Sequence, residues 1–170
     1  ELVTLYEAYK HGTPVVLPAL PVQYADYAVW QRTQRQGAEL DRQFGYWKTQ
    51  LGGAPPLLNL PLDKPRPAIE THTGATVSVQ LDTPLSTALN HQARACGGTL
   101  FSLLLTAFTV LLHRYSGEDD IVVGTPVSGR RRSELEGIIG FFLNTLAVRT
   151  DLTDNPAFNE LAKRVARTAL

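Results

Sequence analysis

The chain has 170 residues, 44% of them hydrophobic, which is enough for one ordinary domain or two half-sized lobes with a real core. Disordered and fibrous proteins are therefore excluded. Sixteen lysines and arginines balance sixteen aspartates and glutamates, so the chain has no net positive charge to attract a nucleic acid or an anionic membrane surface.

The first residues predict a helix that is already under way at Glu1. Apolar residues recur at Leu2, Leu5, Tyr6 and Tyr9 with no capping residue before them, and the sequence contains no methionine. We therefore expect the chain to be cut from a longer protein. No signal peptide is recognisable at this start.

Helices and then a linker are predicted for the next segment. Between Tyr24 and Leu51 aromatic and leucine side chains recur at helical spacings, with a break at Gly37. A Gly-Gly-Ala-Pro-Pro run ends this pattern. Residues 57–72 are rich in proline and predict a linker, whose leucines lie against a surface because a free linker would be polar.

A strand and two helices are predicted next. Apolar residues alternate with polar ones over 74–81, the pattern of a half-buried strand, and a helix follows from about Pro84 to Ala95. Thr99 caps a second helix with apolar residues on nearly every face. This helix is too short to span a bilayer, and we expect it to be central and buried.

The remaining residues predict two strands and a last helix. The strands cover 121–124 and about 141–149. The helix begins near Pro156 after a cap at Asp154 or Asn155. Its apolar face comprises Phe158, Leu161, Val165 and Leu170.

Four histidines are candidates for acid–base catalysis: His11, His72, His91 and His113. None has metal-ligand spacing or a defensible Ser-His-Asp arrangement, so no metal site is predicted. His113 ends the apolar helix, where the negative end of the helix favours a cation, and capping is preferred to catalysis. The single cysteine, Cys96, fits a reducing cytoplasm and is interpreted as a small buried hydrophobic residue.

The segment Val123–Arg130 is the remaining candidate site. A strand that ends in Gly124 and Pro126 and is followed by Arg130 is suited to the edge of a site, because glycine lets another backbone approach and arginine binds a carboxylate through two parallel hydrogen bonds. A solvated turn is the alternative. That alternative is preferred for Arg131 and Arg132 and left open for Arg130.

Several separate motifs resemble the condensation domains of non-ribosomal peptide synthetases. They occur in the family's order and spacing over essentially the whole chain. They are Pro21–Gln31 (PVQYADYAVWQ), Tyr46-Trp47, Arg114–Asp120 (RYSGEDD), Ile121–Arg130 (IVVGTPVSGR), Ile139–Leu146 (IGFFLNTL) and Phe158–Leu170.

The resemblance implies an α/β fold with layers of helix and strand, made of two lobes similar to chloramphenicol acetyltransferase. Residues 1–56 would be the helical end of the first lobe. Residues 57–72 would be the linker between lobes, and residues 73–170 would begin the second lobe. A partial fold of this kind is expected to leave Leu2, Leu5, Tyr27, Trp30 and Trp47 exposed, to have open sheet edges, and to aggregate or dimerise.

The resemblance also implies an activity, which is peptide-bond formation between aminoacyl or peptidyl thioesters. Upstream and downstream peptidyl carrier proteins hold these substrates on phosphopantetheine arms, and an adenylation domain adjoins in the same cytoplasmic megasynthase. No cofactor would bind the domain directly. The motif wording is closest to the subtype that takes an L-configured donor.

The family's His-His-x-x-x-Asp-Gly motif is not in this chain, and its place would be upstream of Glu1. None of the four histidines has a histidine neighbour or a following Asp-Gly, so no catalytic role transfers to them. Because proton transfer assistance is worth roughly two to four orders of magnitude in rate, we expect the isolated chain to be inactive.

One residue is carried over as active-site architecture. Arg130 would pair with the aspartate of the missing motif and would be left unpaired here. Structural roles are expected for the other motif residues, which are Tyr24, Asp26, Trp30, Gly124, Pro126, Asn144 and Arg149.

Three alternatives stay open. An epimerisation or cyclisation domain would have the same fold with an altered histidine motif. A parent without those histidines would be a non-catalytic docking domain for carrier proteins. An independent small acyltransferase would use His113.

Overall fold

The computed structural model describes residues 1–15, 17–69, 71 and 73–169. Three helices come first, and helices and strands mix in the second half, so the predicted mixed α/β class is confirmed. The helices are α1 (Leu2–His11), α2 (Tyr24–Gln34), α3 (Ala38–Leu51), α4 (Thr83–Ala95), α5 (Leu100–Ser116) and α6 (Phe158–Ala169). The strands are β1 (Asp120–Ser128) and β2 (Leu143–Asp151), with a 3₁₀ turn at Ser133–Leu135 between them.

Local sequence signals place the helix ends close to their predicted positions. Gly37 separates α2 from α3 with φ +67°, in the left-handed region that favours glycine. Thr99 caps α5: the Ser102 N–H donates to Thr99 Oγ1 at 3.2 Å, and the Thr99 N–H donates to Ser102 Oγ at 2.9 Å. Asp82 caps α4 by accepting from the Leu85 N–H at 2.8 Å.

The sheet of the described residues consists of β1 and β2. Hydrogen bonds flank the pair at both ends, from the Gly129 N–H to the Phe142 carbonyl and from the Leu152 N–H to the Asp119 carbonyl, each at 2.8 Å. The two strands are therefore antiparallel, and each keeps an open edge as expected. This register brings residues 129 and 142 together.

The strand predicted over residues 74–81 is not formed. Val77 and Val79 are 88% and 80% exposed, and the segment has no regular structure. Alternation supplies an apolar face, but a strand also needs a neighbouring backbone to satisfy its N–H and C=O groups. The described sheet offers none to this segment.

Helix α5 is buried on one face only. α4 and α6 pack against it, and Leu103, Leu105, Thr106 and Thr109 are buried there. The opposite face carries Phe101, Leu104, Phe108 and Leu111, which are between 43% and 51% exposed. The prediction of a helix buried on all sides is therefore wrong, because no described element covers this second face.

No helix of the described residues is both long and apolar enough to cross a bilayer. Only taken together, as a pair bent by 95°, do α4 and α5 meet that criterion of length and composition.

The chain divides into two compact units. The first unit comprises Glu1–Gly45 and Val127–Asn144. Its buried core is formed by Tyr27, Leu135, Ile138 and Phe142, with Val22 packed against it. Exposure is predicted for Tyr27, and this prediction is wrong, since the tyrosine packs on residues from beyond β1. Leu2, Leu5 and Trp30 are exposed, as predicted.

The second unit comprises Tyr46–Pro126 and Thr145–Leu170. Its larger core joins α5 and α6 to the sheet through Leu105, Ile121, Val148, Leu152, Leu161 and Val165. A smaller cluster of Ala93, Cys96, Leu103 and Ala162 lies between α4, α5 and α6. Cys96 is buried there, as predicted.

The proline-rich segment is anchored to the second unit. Leu58 packs against the larger core, the Asn59 N–H donates to Glu118 Oε1 at 2.9 Å, and Arg66 Nη2 donates to the Leu58 carbonyl at 3.0 Å. The prediction that this segment lies against a surface holds for Leu58. Leu57 and Leu62 remain exposed.

Two predicted positions, His72 and Leu170, lie outside the described residues.

Candidate functional site

The candidate site begins where β1 ends. Ser128 is the last residue of the strand, and Gly129 donates its N–H to the Phe142 carbonyl. A Cβ at position 129 would lie 2.6 Å from that carbonyl oxygen, so the close approach requires glycine. The sequence therefore places Arg130 directly after this close contact, beside the end of the sheet.

Arg130 is held by an aromatic ring and by carbonyl groups. Its guanidinium carbon lies 4.0 Å from the centroid of the Phe142 ring. Its Nη1 donates to the Leu135 carbonyl and, at 3.5 Å, to the Glu136 carbonyl. Among the described residues no carboxylate forms an ion pair with Arg130. Among the described residues, the contacts of the Arg130 side chain are therefore to one ring and two carbonyl groups.

Phe142 lies in an aromatic cluster with helix α2. Its ring meets the edge of Tyr24 at 5.4 Å and 88°, and it packs against Tyr27 at 4.8 Å. Tyr27 continues to Trp30 at 6.0 Å, and Arg132 lies 4.9 Å over the Trp30 ring. Such pairs add stabilisation beyond their buried area. Two arginines therefore form cation–π contacts with two rings of one cluster.

Tyr24 fixes the backbone next to Phe142. Its hydroxyl donates to the Phe141 carbonyl at 3.0 Å. Its ring lies against Gly140, where an added Cβ would come within 2.6 Å of Cε2 and 3.0 Å of Cγ. Only glycine therefore allows the Tyr24 ring to lie flat on this backbone.

Asp26 has a local role in the same unit. Its carboxylate accepts from the Gln23 N–H at 2.9 Å and so closes the first turn of α2. Acidic side chains stabilise this end of a helix. The cap fixes the start of the helix that carries Tyr24 and Trp30.

Arg149 ties β2 to the end of α3. Its Nε and Nη2 form two hydrogen bonds with the Asp120 carboxylate, at 2.8 and 2.7 Å. Its Nη1 donates to the Gln50 and Gly52 carbonyls, both at 2.9 Å. Donation of these hydrogen bonds to the Asp120 carboxylate raises the pKa of the Arg149 guanidinium. The arrangement supports the strand, and Arg149 is not part of the aromatic cluster.

Gly124, Pro126 and Asn144 lie in the sheet. A Cβ at Gly124 would approach the Thr145 methyl group to 3.2 Å. Pro126 lies in β1, in a sheet of two strands where a residue without an N–H is tolerated at an edge. Asn144 is exposed and is the second residue of β2.

The described histidines make local contacts or lie exposed on helices. His113 Nδ1 donates to the Glu118 carbonyl at 3.0 Å and lies 3.4 Å from Asp119 Oδ1. His11 pairs with Glu7 on the surface at 3.2 Å, and His91 is exposed on α4. No cluster of potential metal ligands occurs in the part of the chain that the structure describes. The capping interpretation of His113 fits its position at the end of α5.

A cleft of about 190 Å³ adjoins His113. It is lined by Val110, Arg114, Leu152, Pro156 and Phe158 among others. The cleft is apolar on most sides, and His113 directs Nδ1 at the Glu118 carbonyl. These groups contain no nucleophile and base within hydrogen-bond reach of each other.

Three members of the cluster are not identified by sequence reasoning: Tyr27, Arg132 and Phe142. Tyr27 belongs to the predicted apolar face of a helix, but a partial fold is expected to leave it uncovered, and Arg132 is assigned to solvent. The sequence pattern includes Phe142 only as part of the segment Ile139–Leu146. Two adjacent phenylalanines directly before a strand, preceded by a glycine, are the signal that could have indicated a ring beside the arginine. We call Phe142 together with the Leu135 and Glu136 carbonyls, which contact the Arg130 guanidinium, the seat of Arg130.

The profile of the condensation domain family matches residues 1–170. One of the linear gramicidin synthase proteins of Brevibacillus parabrevis is 54% identical over 170 residues, which is 100% of this chain and 2% of that protein. The chain therefore spans a small part of this relative.

Solved structures of several domains are similar in fold to this chain. The X-domain from teicoplanin biosynthesis is 32% identical with a TM-score of 0.87, over 99% of this chain and 38% of that one. Its complex with OxyB gives a TM-score of 0.86 at the same identity and coverage. The epimerization domain from the third module of tyrocidine synthetase B shares the fold, with a TM-score of 0.76, 20% identity, and coverage of 98% and 38%.

Proposed function

The chain belongs to the condensation domain family, and we propose that it is a segment of a non-ribosomal peptide synthetase that frames the site of peptide-bond formation. The observation that carries the proposal is the family match over all 170 residues, supported by 54% identity to a linear gramicidin synthase. The divisions at residues 56 and 72 are proposed as the lobe and linker boundaries of that domain.

The proposed reaction joins two tethered substrates. The amine of the downstream aminoacyl thioester attacks the carbonyl of the upstream thioester, the C–S bond breaks, and the released thiol takes the proton that the amine loses. Upstream and downstream carrier proteins supply the two substrates on phosphopantetheine arms, and an adenylation domain loads them. The cytoplasm is the proposed location, and an L-configured donor is the proposed subtype.

Arg130 is proposed as active-site architecture. Its guanidinium is held by Phe142 and by two carbonyl groups, and no carboxylate of the described residues forms an ion pair with it. A planar, permanently charged group of this kind suits a partly buried carboxylate. The aspartate of the family's histidine motif is the proposed partner.

This chain by itself is proposed to be inactive. No histidine in it has a histidine neighbour, and the described histidines are engaged locally or exposed on helices. A general base is worth about 10²–10⁴ in rate. Catalysis is therefore assigned to residues that the longer protein contributes.

Docking without catalysis is the second candidate. The X-domain from teicoplanin biosynthesis has been solved in complex with OxyB, and this similar structure is therefore an example of the fold binding another protein. A parent protein without the histidine motif would likewise bind partners without catalysis, and carrier proteins would be those partners.

A reconstituted condensation assay tests the proposal. The 170-residue chain and the longer synthetase that carries it are each mixed with two carrier proteins loaded with aminoacyl thioesters, and dipeptidyl thioester is measured by mass spectrometry. We expect product from the longer protein and only the uncatalysed rate from the chain. Arg130→Ala in the longer protein should lower the rate at least tenfold, with exposed Arg131→Ala as the matched control.

Each other result decides against a part of the proposal. Equal rates from the chain and the longer protein would refute the missing-base argument, and loss of that rate in His113→Ala would support the small acyltransferase. Carrier-protein binding without product by the longer protein would support docking.

A further inference from the structure

We propose that Phe142 is the positioning residue for Arg130, and that Tyr24 and Tyr27 of α2 hold the Phe142 ring in place. The proposal rests on the proposed function only in what Arg130 is positioned for. The seat itself is formed by residues of the first unit.

The guanidinium is aligned by two kinds of contact. The Phe142 ring lies 4.0 Å from the Arg130 guanidinium carbon, which is the range of a favourable cation–π contact. At one edge, Nη1 donates to the Leu135 and Glu136 carbonyls. The ring limits how far the guanidinium can move toward Phe142, and the carbonyl acceptors hold its Nη1. Together they restrict the position of the group.

Phe142 is itself constrained from three sides. It is buried, its carbonyl accepts from the Gly129 N–H at 2.8 Å, and Tyr27 packs against its ring at 4.8 Å. Tyr24 meets the ring edge-on at 5.4 Å and binds the preceding carbonyl, that of Phe141, at 3.0 Å. The ring therefore has little freedom to turn away from the arginine.

The seat differs from an ion pair in its electrostatics. Ring and carbonyl groups carry partial charges, so they orient the cation without cancelling it. An acidic residue in the same place would orient Arg130 equally well but would compete with any incoming carboxylate. Phe142 is thus suited to an arginine whose partner comes from another segment.

Chemical modification of the chain with phenylglyoxal tests the proposal. The modification rate of each arginine is followed by peptide mapping and mass spectrometry, with exposed Arg131 as the internal reference. We expect Arg130 to react about two- to fivefold more slowly than Arg131. Phe142→Leu keeps an apolar side chain but removes the ring, and should raise the Arg130 rate about two- to fivefold.

Phe142→Tyr is the conservative variant, and it should retain the wild-type Arg130 rate. A purely structural role in the core would be served by leucine as well as by tyrosine. Equal Arg130 rates in the two variants would therefore overturn the proposal. Arg164, paired with Asp154 at 2.7 Å in the second unit, reports whether that part of the chain stays folded.

Tyr24→Phe decides the question if Phe142→Leu unfolds the chain. It removes one hydroxyl and keeps the ring packing, and we expect it to raise the Arg130 rate about twofold. An unchanged rate would overturn the role of α2. Because arginine reactivity is measured without substrates, its outcome is independent of the condensation assay, and either proposal can fail alone.

Discussion

Replacing Gly140 by alanine should disrupt the aromatic cluster more than any surface change. An added Cβ would lie 2.6 Å from Cε2 and 3.0 Å from Cγ of the Tyr24 ring, both inside van der Waals contact. Tyr24 must then move, and its hydroxyl bond to the Phe141 carbonyl is lost. Overpacking costs about 1–3 kcal/mol and the hydrogen bond about 0.5–1.5 kcal/mol, so we expect a loss of about 2–4 kcal/mol.

Thermal unfolding followed by circular dichroism measures this loss. At about 2–4 °C per kcal/mol for a chain of this length, Gly140→Ala should lower Tm by about 5–15 °C. Gly45→Ala is the matched control: Gly45 lies inside α3, and nothing lies within 4 Å of its added Cβ. A helix interior prefers alanine by about 0.5–1 kcal/mol, so this variant should be more stable. If the two variants had the same Tm, the contact between Tyr24 and Gly140 would not restrict the residue at position 140.

The free chain should self-associate through the apolar face of α5, and Phe108→Asp should lower the mass measured by light scattering; an unchanged mass would place the contact elsewhere. Leu161→Ala should cost about 2–5 kcal/mol in a urea titration and exposed Lys163→Ala less than about 0.5 kcal/mol, and similar values would contradict the core assignment. Hydrogen bonding from Arg42 lowers the pKa of Glu39 from 4.5 to about 2. Because the folded pKa is depressed, this stabilisation is complete above pH 4.5 and is lost toward pH 2. Titration by NMR should show the lowered pKa, and Arg42→Ala should raise it toward 4.5, with the Gln43 hydrogen bond keeping part of the shift.

Helix ends could be predicted from the sequence because their causes are local. Gly37 adopts a left-handed φ whatever the rest of the chain does, and Thr99 finds its partner Ser102 within one turn. Such signals act over three or four residues, which is the range that a pattern can read.

The prediction of a strand over 74–81 was wrong because its cause is not local. Its alternation is correct for a strand, but pairing depends on a second backbone at a distance along the chain. The prediction that α5 is buried on all sides was wrong for the same reason. The sequence shows that both faces of the helix are apolar, but only the fold determines that Phe101 and Phe108 stay exposed. Periodicity reports what a segment can bury and does not report what is available to bury it.

Only part of the candidate site could be proposed from the sequence. A predicted strand ending in Gly124 and Pro126 made Arg130 a candidate, and the family resemblance then selected it, although β1 itself extends to Ser128. Phe142 was not singled out, because it reaches Arg130 only through the antiparallel register in which Gly129 pairs with Phe142. A separation of about twelve residues in sequence carries no periodic signal.

The contacts of Arg130 show how an arginine can be held in one place without a carboxylate partner among the described residues. Arg149 shows the other solution in the same chain, since Asp120 fixes it with two hydrogen bonds and neutralises it at once. Arg130 is fixed by a ring and carbonyl oxygens, whose partial charges stabilise the cation over short distances only. The first arrangement suits a structural tie, and the second suits a residue whose counter-charge is supplied from outside the unit. The contrast between the two arginines is therefore the strongest physical reason to propose Arg130, and not Arg149, as part of the site.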